Sequence, residues 1–349
     1  MSIVLITGSS GLIGSESVSF FCKKGFKVIG IDNNLREFFF GKNASTFLIE
    51  RSLKKKYKNF SSLNCDIRNI NFLEKIFKKY KNNISLIIHC AAQPSHDYAK
   101  NHLNLDFDIN AKGTLILLEL TKKYCSNSPF IFMSTNKVYG DNPNKLDFIE
   151  KKKRWELAKN SKYFNGIDES FSIDNAVHSF FGVSKIYADI LVQEYGRNIG
   201  LKTVCFRAGC LTGPNHQGAM LHGFLSYLVK KSLTTKNYEL IGHKGKQVRD
   251  NLHSSDLVNC FWEFYKKPKN GEVYNIGGGR FSNCSIIEAL DKVEELAKIK
   301  IKKKLIKQPR IGDHIWYISN VEKFKKNYPN WKQKYNTKKI IEELVESYK

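Results

Sequence analysis

The sequence predicts an α/β protein with a doubly wound parallel sheet and a smaller mixed lobe towards the carboxyl terminus. Short apolar runs alternate with helical patterns through the first two thirds of the chain, which is typical of strands joined by crossover helices. The first apolar run, residues 3–6, ends directly in a glycine-rich turn, and a helical pattern follows at once. With 349 residues, the chain is long enough for one large unit and a second, smaller one.

The turn after the first strand, TGSSGLIG, has the residue types of a site for a dinucleotide diphosphate. Its first glycine allows a tight turn, the second lets the backbone approach the phosphates, and the third lets the helix pack closely on the strand. Backbone amides at the start of the helix then face the anion. We therefore predict that the phosphate site is formed by Gly8, Gly11, Leu12, Ile13 and Gly14.

The second apolar run, residues 27–31, ends in an acid that bears on the choice between NAD and NADP. Asp32 follows Gly14 by 18 residues, where a carboxylate can accept hydrogen bonds from the adenosine ribose and would repel a 2′-phosphate. This favours NAD over NADP, although the nearby Arg36 could serve a phosphate. We predict NAD, with Asp32 and Asn33 at the ribose.

The remaining elements follow in order, and they predict a domain of residues 1–207 and a mainly substrate-binding lobe of residues 208–349. Residues 33–61 form a polar and aromatic insertion, residues 141–177 a charged excursion near the active site, and residues 277–279 a glycine turn. The predicted helices span residues 15–24, 70–80, 106–124, 179–196 and 338–348, and the further strands span residues 84–89, 130–133 and 203–206.

Ligands of open parallel sheets bind beyond the carboxyl ends of the strands. Small or polar residues collect at these ends, and they share a position that isolated turn residues would not share. We predict that the cofactor is also contacted by Asp66 and Ile67 after the third strand, Ala91, Ala92 and Gln93 after the fourth, Asn110 on the next helix, and Ser134 after the fifth.

Composition narrows the classes of partner. The net charge of +24 comes from lysines spread along the chain without a nucleic-acid-reading module, so we predict no nucleic-acid binding; a positive field would attract an anionic nucleotide substrate. No apolar run approaches the ~20 residues of a membrane span, and the first residues do not resemble a signal peptide, which predicts a cytoplasmic protein without membrane attachment. The eight cysteines lack a C-x-x-C spacing and predict neither a metal site nor a disulfide framework.

Three stretches carry a resemblance to a known family: TGSSGLIG, STNKVYGD at residues 134–141, and GKQVRDNLH at residues 245–253. They resemble the extended short-chain dehydrogenase/reductase family, in particular its NAD-dependent nucleotide-sugar epimerases and dehydratases. The last two stretches are similar to members that invert carbon 2 of a CDP-linked deoxysugar by transient oxidation and re-reduction. The resemblance also implies a nucleotide-sugar substrate and a homodimer. A 4-epimerase or dehydratase of a UDP-, GDP- or dTDP-sugar is the alternative.

The resemblance implies a catalytic Thr135 and a Tyr-x-x-x-Lys motif whose lysine bonds the nicotinamide ribose and lowers the phenol pKa. The matching residues are Phe181 and Lys185, so the lysine is present and the tyrosine is replaced by a side chain that cannot move a proton. An active enzyme with a substitute base and a non-catalytic NAD-binding sensor both remain open. The candidate bases are Lys185, Thr135, Tyr139, His178 and His96.

The substrate residues are also implied by the resemblance. Guanidinium groups suit the oxygens of a diphosphate, and Arg249 and Arg310 match the arginines that serve this role. A structural ion pair, such as Arg249 with Asp250, is the alternative. The expected substrate set is Thr135, Asn136, Cys210, Asn215, Arg249 and Arg310.

Overall fold

The computed structural model describes residues 2–214, 223–308 and 312–348. Its strands are β1 Ile3–Thr7, β2 Lys27–Asp32, β3 Phe60–Asn64, β4 Ile84–His89, β5 Phe130–Thr135, β6 Phe148–Glu150, β7 Trp155–Leu157, β8 Thr203–Ala208, β9 Cys210–Thr212, β10 Asn237–Ile241, β11 Val248–His253, β12 Glu272–Ile276, β13 Asn283–Ser285, β14 Lys302–Ile306 and β15 Trp316–Tyr317. Its helices are α1 Leu12–Lys23, α2 Leu35–Phe40, α3 Phe47–Lys56, α4 Ile70–Tyr80, α5 His96–Asn101, α6 Leu103–Phe107, α7 Gly113–Tyr124, α8 Phe180–Arg197, α9 Phe224–Thr235, α10 Ser254–Lys266, α11 Ile286–Ala297, α12 Glu322–Asn327 and α13 Thr337–Ser347.

The largest sheet has the strand order β12-β8-β5-β4-β1-β2-β3. Strand β1 pairs in parallel with both β2 and β4, so the chain winds outwards in both directions from the β1–β4 pair. All five residues of β1 are buried, as expected for a strand covered on both faces. The predicted doubly wound sheet is confirmed, and β1 and β4 form the switch point where such sheets bind nucleotides.

The chain divides into two compact units, and each unit consists of three separate stretches of the chain. The division is therefore not a single boundary at residue 207. The first unit contains Met1–Thr135, Phe180–Arg207 and Val258–Tyr274, and the second contains Asn136–Ser179, Ala208–Leu257 and Asn275–Lys349. Most of α10 and of β12 therefore belongs to the first unit.

Aromatic packing explains this return of α10 to the first unit. The rings of Phe21 and Trp262 have centroids 6.3 Å apart, and those of Phe26 and Tyr265 are 5.6 Å apart. The helix is thereby held against α1 and the turn that follows it. Strand β12 then joins the edge of the large sheet beside β8.

The helix predicted for residues 106–124 contains an irregular turn. It begins as α6, passes through a π-helical turn at Asp108–Lys112, and continues as α7. Asn110 lies in the π turn and is buried. Such turns are frequent at functional sites because they re-aim a side chain without ending the helix.

The second unit contains smaller sheets and its own core. Strand β11 pairs with β13, β15 and β9, while β10 pairs in parallel with β14. Helices α9, α11 and α13 share an apolar cluster that includes Leu228, Leu290 and Leu344. The charged excursion includes the antiparallel pair β6–β7.

Two findings concern the whole described chain. No helix among residues 2–214, 223–308 and 312–348 is both long and apolar enough to cross a membrane. All eight cysteines are free thiols.

Candidate active site

Two of the three glycines in the turn after β1 lie where the neighbouring backbone leaves no room for a side chain. Gly8 has φ +68°, and a Cβ at this residue would lie 2.7 Å from the backbone nitrogen of Ala91, at the end of β4. A Cβ on Gly14 would lie 1.9 Å from the carbonyl oxygen of Gly8. The ends of β1 and β4 and the first turn of α1 therefore approach one another closely only because these residues are glycines.

Gly11 has a different reason, because a Cβ there would meet only the Gly8 oxygen, at 3.4 Å. Gly11 caps α1 without a side-chain hydrogen bond, and Leu12 and Ile13 begin the helix, three residues before its predicted start. Close by, the hydroxyl oxygens of Ser9 and Ser10 are buried and have no hydrogen-bond partner among the described residues. The space beside Gly11 and the two hydroxyl oxygens without a partner lie at the start of a helix, and this arrangement fits a nucleotide diphosphate.

Asp32 organises the end of β2. Its carboxylate accepts hydrogen bonds from the backbone nitrogens of Ser10 and Asn34, both at 2.9 Å, and burial raises its pKa. The Arg36 guanidinium lies over the Phe40 ring at 5.0 Å. Asp32 thus joins the glycine turn to the loop that follows β2.

Asn33 and Asp66 connect the ends of β2 and β3. The Asn33 amide donates to Asp66 at 3.1 Å, and the Arg68 side chain and backbone also donate to this carboxylate. Burial alone would raise the pKa of Asp66, but the hydrogen bonds from Arg68 bring it below its ordinary value. Asp66 is therefore a carboxylate at neutral pH, and the adjacent Ile67 is buried.

A buried polar network lies beyond the end of β4, after the half-buried Ala91 and Ala92. Gln93 donates through Nε2 to the Ser95 carbonyl at 2.9 Å and to Asp106 at 2.7 Å. Asn110 accepts from the Gln93 nitrogen at 2.9 Å and donates to the Ser184 hydroxyl at 3.1 Å. The side chains of Gln93 and Asn110 therefore fix the loop after β4 against α8.

Lys185 reaches the end of β5. Its Nζ donates to the Met133 carbonyl at 2.7 Å and lies 4.1 Å from the centroid of the Phe132 ring. The side chain is almost fully buried, and burial lowers its pKa to about 8. Thr135, the last residue of β5, lies two residues beyond this carbonyl and is half-buried. The structure therefore brings the end of β5 and Lys185 together within the first unit.

Ser134 donates a hydrogen bond to a buried ion pair between Asp189 of α8 and Arg207 of β8. The Ser134 hydroxyl donates to Asp189 at 2.5 Å, and the Arg207 guanidinium donates to the same carboxylate at 2.7 Å. Sequence reasoning missed Asp189 and Arg207, because each lies inside an otherwise ordinary helix or strand pattern.

Phe181 lies on the same helix as Lys185, one turn earlier, and is also buried. Its ring packs edge-on against His96, with centroids 4.8 Å apart and an interplanar angle of 62°. Two other candidate bases lie in the second unit. The Tyr139 hydroxyl donates to Asn275 at 2.8 Å, and His178 Nε2 donates to the Ile173 carbonyl at 2.9 Å.

Arg249 in the second unit is paired with Asp313 rather than with Asp250. The Asp250 carboxylate instead accepts hydrogen bonds from the backbone nitrogens of Ser319 at 2.9 Å and Gly279 at 3.1 Å. The ion pair between Arg249 and Asp250 that the sequence suggested as an alternative is therefore wrong. Burial opposes the charge of Asp313, but Arg249 and Lys137 outweigh it and hold its pKa below the ordinary value.

Lys137 is a second cation that acts on Asp313, and the sequence did not predict it as a substrate-binding residue. Its Nζ donates to the Gly312 carbonyl at 2.7 Å, and burial, with repulsion from Arg249, lowers its pKa to about 8. Cys210 lies in the same electrostatic environment, and burial raises the pKa of its thiol to about 11. Asn136, the neighbour of Lys137, is buried, while the predicted Asn215 and Arg310 lie outside the described residues.

The fold and these sites define a Rossmann-type protein of the short-chain dehydrogenase/reductase class, with a glycine turn at the switch point of the sheet and a buried lysine at the end of β5. A family model described as the NAD dependent epimerase/dehydratase family matches residues 4–277. The chain belongs to this family, whose cofactor is NAD.

Individual relatives carry several activities. CDP-paratose 2-epimerase of Salmonella typhi is 30% identical over 351 residues, which are 98% of each chain. UDP-glucuronate 4-epimerase 4 of Arabidopsis thaliana is 26% identical over 91% of this chain and 69% of its own. The crystal structure of dTDP-glucose 4,6-dehydratase from Bacillus anthracis in complex with NAD matches 100% of this chain and 96% of its own, with a TM-score of 0.75 and 25% identity.

Proposed function

We propose that the chain is an NAD-dependent epimerase that inverts carbon 2 of a CDP-linked deoxysugar by transient oxidation and re-reduction. The observation that carries the epimerase chemistry is the buried Lys185, whose amine donates to the Met133 carbonyl, two residues before Thr135 in β5. The choice of carbon and nucleotide is supported by STNKVYGD and GKQVRDNLH and by the similarity to CDP-paratose 2-epimerase along 98% of both chains.

The cofactor residues have distinct roles in this proposal. Bound NAD would accept a hydride from the sugar carbon and return it to the opposite face. The glycine turn holds the diphosphate, while Asp32 and Asn33 hold the adenosine ribose. Lys185 holds the nicotinamide ribose, and Thr135 orients the sugar hydroxyl. Gln93 and Asn110 would act mainly by fixing the loop after β4, since their side chains bond to the protein itself.

Cations of the second unit support an anionic substrate. Lys137 and Arg249 both act on Asp313 and hold its pKa below the ordinary value, so two cations lie close together in this part of the second unit. Arg249 can retain Asp313 and the Val248 carbonyl, to which it donates at 2.8 Å, while other N–H groups bind phosphate oxygen, because a guanidinium has five donors. We propose that these two cations hold the diphosphate of the nucleotide sugar.

A substrate panel tests the proposal. Purified protein is incubated with CDP-paratose, UDP-glucose, UDP-glucuronic acid and dTDP-glucose, and the products are resolved by NMR. We expect CDP-paratose to be converted to its carbon-2 epimer, CDP-tyvelose. Conversion of a UDP-sugar at carbon 4, or loss of water from dTDP-glucose to leave a keto sugar, would instead support the alternative activities.

Repeating the reaction in deuterium oxide tests the chemistry. Transient oxidation returns the same hydrogen to the carbon, so the inverted position should contain no deuterium. Deuterium at this carbon would contradict the redox route and point to removal of the hydrogen as a proton.

The replacement at Phe181 supports a second candidate, a non-catalytic NAD-binding sensor. This candidate predicts that NAD binds while none of the four nucleotide sugars is converted. Binding of the dinucleotide measured by calorimetry, together with the panel, separates the two functions.

We also propose a homodimer, as the family resemblance implies, and we place its interface on the exposed apolar faces of α6 and α8. Large apolar side chains of these helices are 41–51% exposed, and the rings of Phe107 and Tyr187 contact each other with centroids 5.5 Å apart. A surface of this kind is typical of a self-association interface. Its exposed members are Leu103, Phe107, Val183, Tyr187 and Ile190.

Light scattering after size exclusion tests the dimer. Val183→Glu should reduce the mass to that of a monomer, since it places two like charges in a desolvated interface. Leu48→Glu, at a residue that is 74% exposed on α3, is the matched control and should leave the dimer intact. Equal masses for the three proteins would contradict this interface.

A further inference from the structure

An imidazole lies against the ring from which the family's phenolic hydroxyl is missing. The His96 and Phe181 rings meet with centroids 4.8 Å apart. Phe181 is buried, whereas His96 is half-buried and so is partly accessible. Histidine is the side chain whose ordinary pKa lies nearest to neutral pH, which suits it to exchange a proton.

A capped helix and a hydrogen-bonded loop hold His96 in position. His96 is the first residue of α5, which is capped by Ser95 through a hydrogen bond from the Tyr98 nitrogen at 3.2 Å. The Ser95 carbonyl in turn accepts from the buried Gln93, which also donates to Asp106. The ring is therefore presented from a fixed loop directly after the predicted cofactor residues at the end of β4.

The other candidate bases are less suited to accept a proton. Lys185, with its pKa lowered to about 8 by burial, is mostly protonated at pH 7 and lacks a free lone pair. The hydroxyl of Thr135 is a far weaker base than an imidazole. Tyr139 and His178 donate hydrogen bonds that hold segments of the second unit.

We infer that His96 is the acid–base residue of this enzyme, replacing the tyrosine that Phe181 has displaced. This inference rests on the proposed function. The hydroxyl O–H bond of the sugar breaks towards a ring nitrogen of His96, while the hydrogen on the same carbon leaves as hydride with its electron pair, so that a carbonyl forms. In the reverse step the hydride returns to the opposite face and His96 returns the proton. No proton or electron is gained or lost over the cycle.

The test removes the imidazole and then supplies a proton carrier in two independent ways. His96→Ala should lower turnover of CDP-paratose by about 10²- to 10⁴-fold, the ordinary contribution of a general base. Free imidazole in the buffer should recover part of that loss, and the recovery should increase with the imidazole concentration. Adding Phe181→Tyr to the His96→Ala protein should also recover turnover, because a phenol then stands at the family position. NAD binding, measured by calorimetry, should stay at the wild-type level.

His102→Ala is the matched control. His102 follows the same short helix, is exposed, and stacks on Tyr98 with centroids 4.2 Å apart. Its loss should leave turnover nearly unchanged, and imidazole should have no effect on this variant.

The outcomes separate this inference from the proposed function. Unchanged turnover in His96→Ala, or a loss that neither imidazole nor Phe181→Tyr recovers, would overturn the role of His96 while leaving the epimerase intact. A wild-type protein that is inactive until Phe181→Tyr is introduced would likewise overturn it, since His96 would then supply no proton transfer. A protein inactive on the whole panel in both forms would overturn the proposed function and the role of His96 together.

Discussion

Replacing Lys185 with methionine should make the protein more stable at neutral pH while it abolishes function. Burial lowers the pKa of Lys185 from 10.5 to about 8, which corresponds to a cost of about 3 kcal/mol for keeping the amine charged at pH 7. Methionine has a similar length and no charge, so this cost disappears. Loss of the hydrogen bond to the Met133 carbonyl offsets about 1–2 kcal/mol. We expect Lys185→Met to be more stable by about 1–2 kcal/mol at pH 7.

The advantage should depend on pH in a defined direction. Below about pH 8 the lysine is charged in both states and the full cost applies. Between about 8 and 10.5 the folded protein loses the proton before the unfolded chain does, so the unfolded state binds more protons and wild-type stability rises with pH. The advantage of Lys185→Met should therefore shrink and then reverse over this window, because the ~3 kcal/mol that the wild type regains exceeds the advantage of about 1–2 kcal/mol at pH 7.

Urea unfolding of nucleotide-free protein at pH 7 and at pH 10 measures both effects. Bound NAD must be removed first, because it would stabilise only the protein that binds it. Lys112→Met, at a lysine whose side chain is 61% exposed, is the control and should change stability little at either pH. A Lys185→Met protein less stable than wild type by 2 kcal/mol or more at pH 7, or a difference that does not change with pH, would refute the reasoning.

Two further predictions concern the glycine turn and the buried ion pair. Gly14→Ala should lose NAD binding in calorimetry, because its Cβ would lie 1.9 Å from the Gly8 oxygen. Gly11→Ala should still fold, because its Cβ would lie 3.4 Å from the same oxygen. Equal thermal stability of the two variants would contradict this difference. Asp189→Asn should destabilise the protein by about 3–5 kcal/mol in urea unfolding, because it leaves Arg207 charged and buried without its partner. The double variant Asp189→Asn with Arg207→Leu should recover part of that loss. If Asp189→Asn alone does not change the free energy of unfolding, the ion pair contributes little to stability.

Elements with strong local patterns were predictable from the sequence. Strand β4 and helix α4 have their predicted bounds, because apolar periodicity and nearby stop signals act over a few residues. Helix α1 was predicted three residues too late, since Gly14 is a poor helix former. Its closeness to Gly8 is a contact that helix propensity does not record.

Contacts between distant segments were not predictable. Strand β12 completes the large sheet because aromatic packing returns α10 to the first unit. The pairing of Arg249 with Asp313, together with the nearby Lys137, joins segments far apart in the chain, and the sequence alternative chose the adjacent Asp250 instead. A charge pattern alone does not identify which of several acids the fold brings near an arginine.

The amino-acid sequence by itself determined the class of fold, the place of the dinucleotide turn, NAD as the cofactor and the absence of a tyrosine four residues before Lys185, because each depends on residue type and short spacing. Only the tertiary structure decided that His96 lies against Phe181, that the Lys185 amine meets the Met133 carbonyl, and that Lys137 joins Arg249 and Asp313. Burial and nearby charges shift the pKa values of Lys185, Lys137 and Asp313, and both causes arise only when remote parts of the chain pack together.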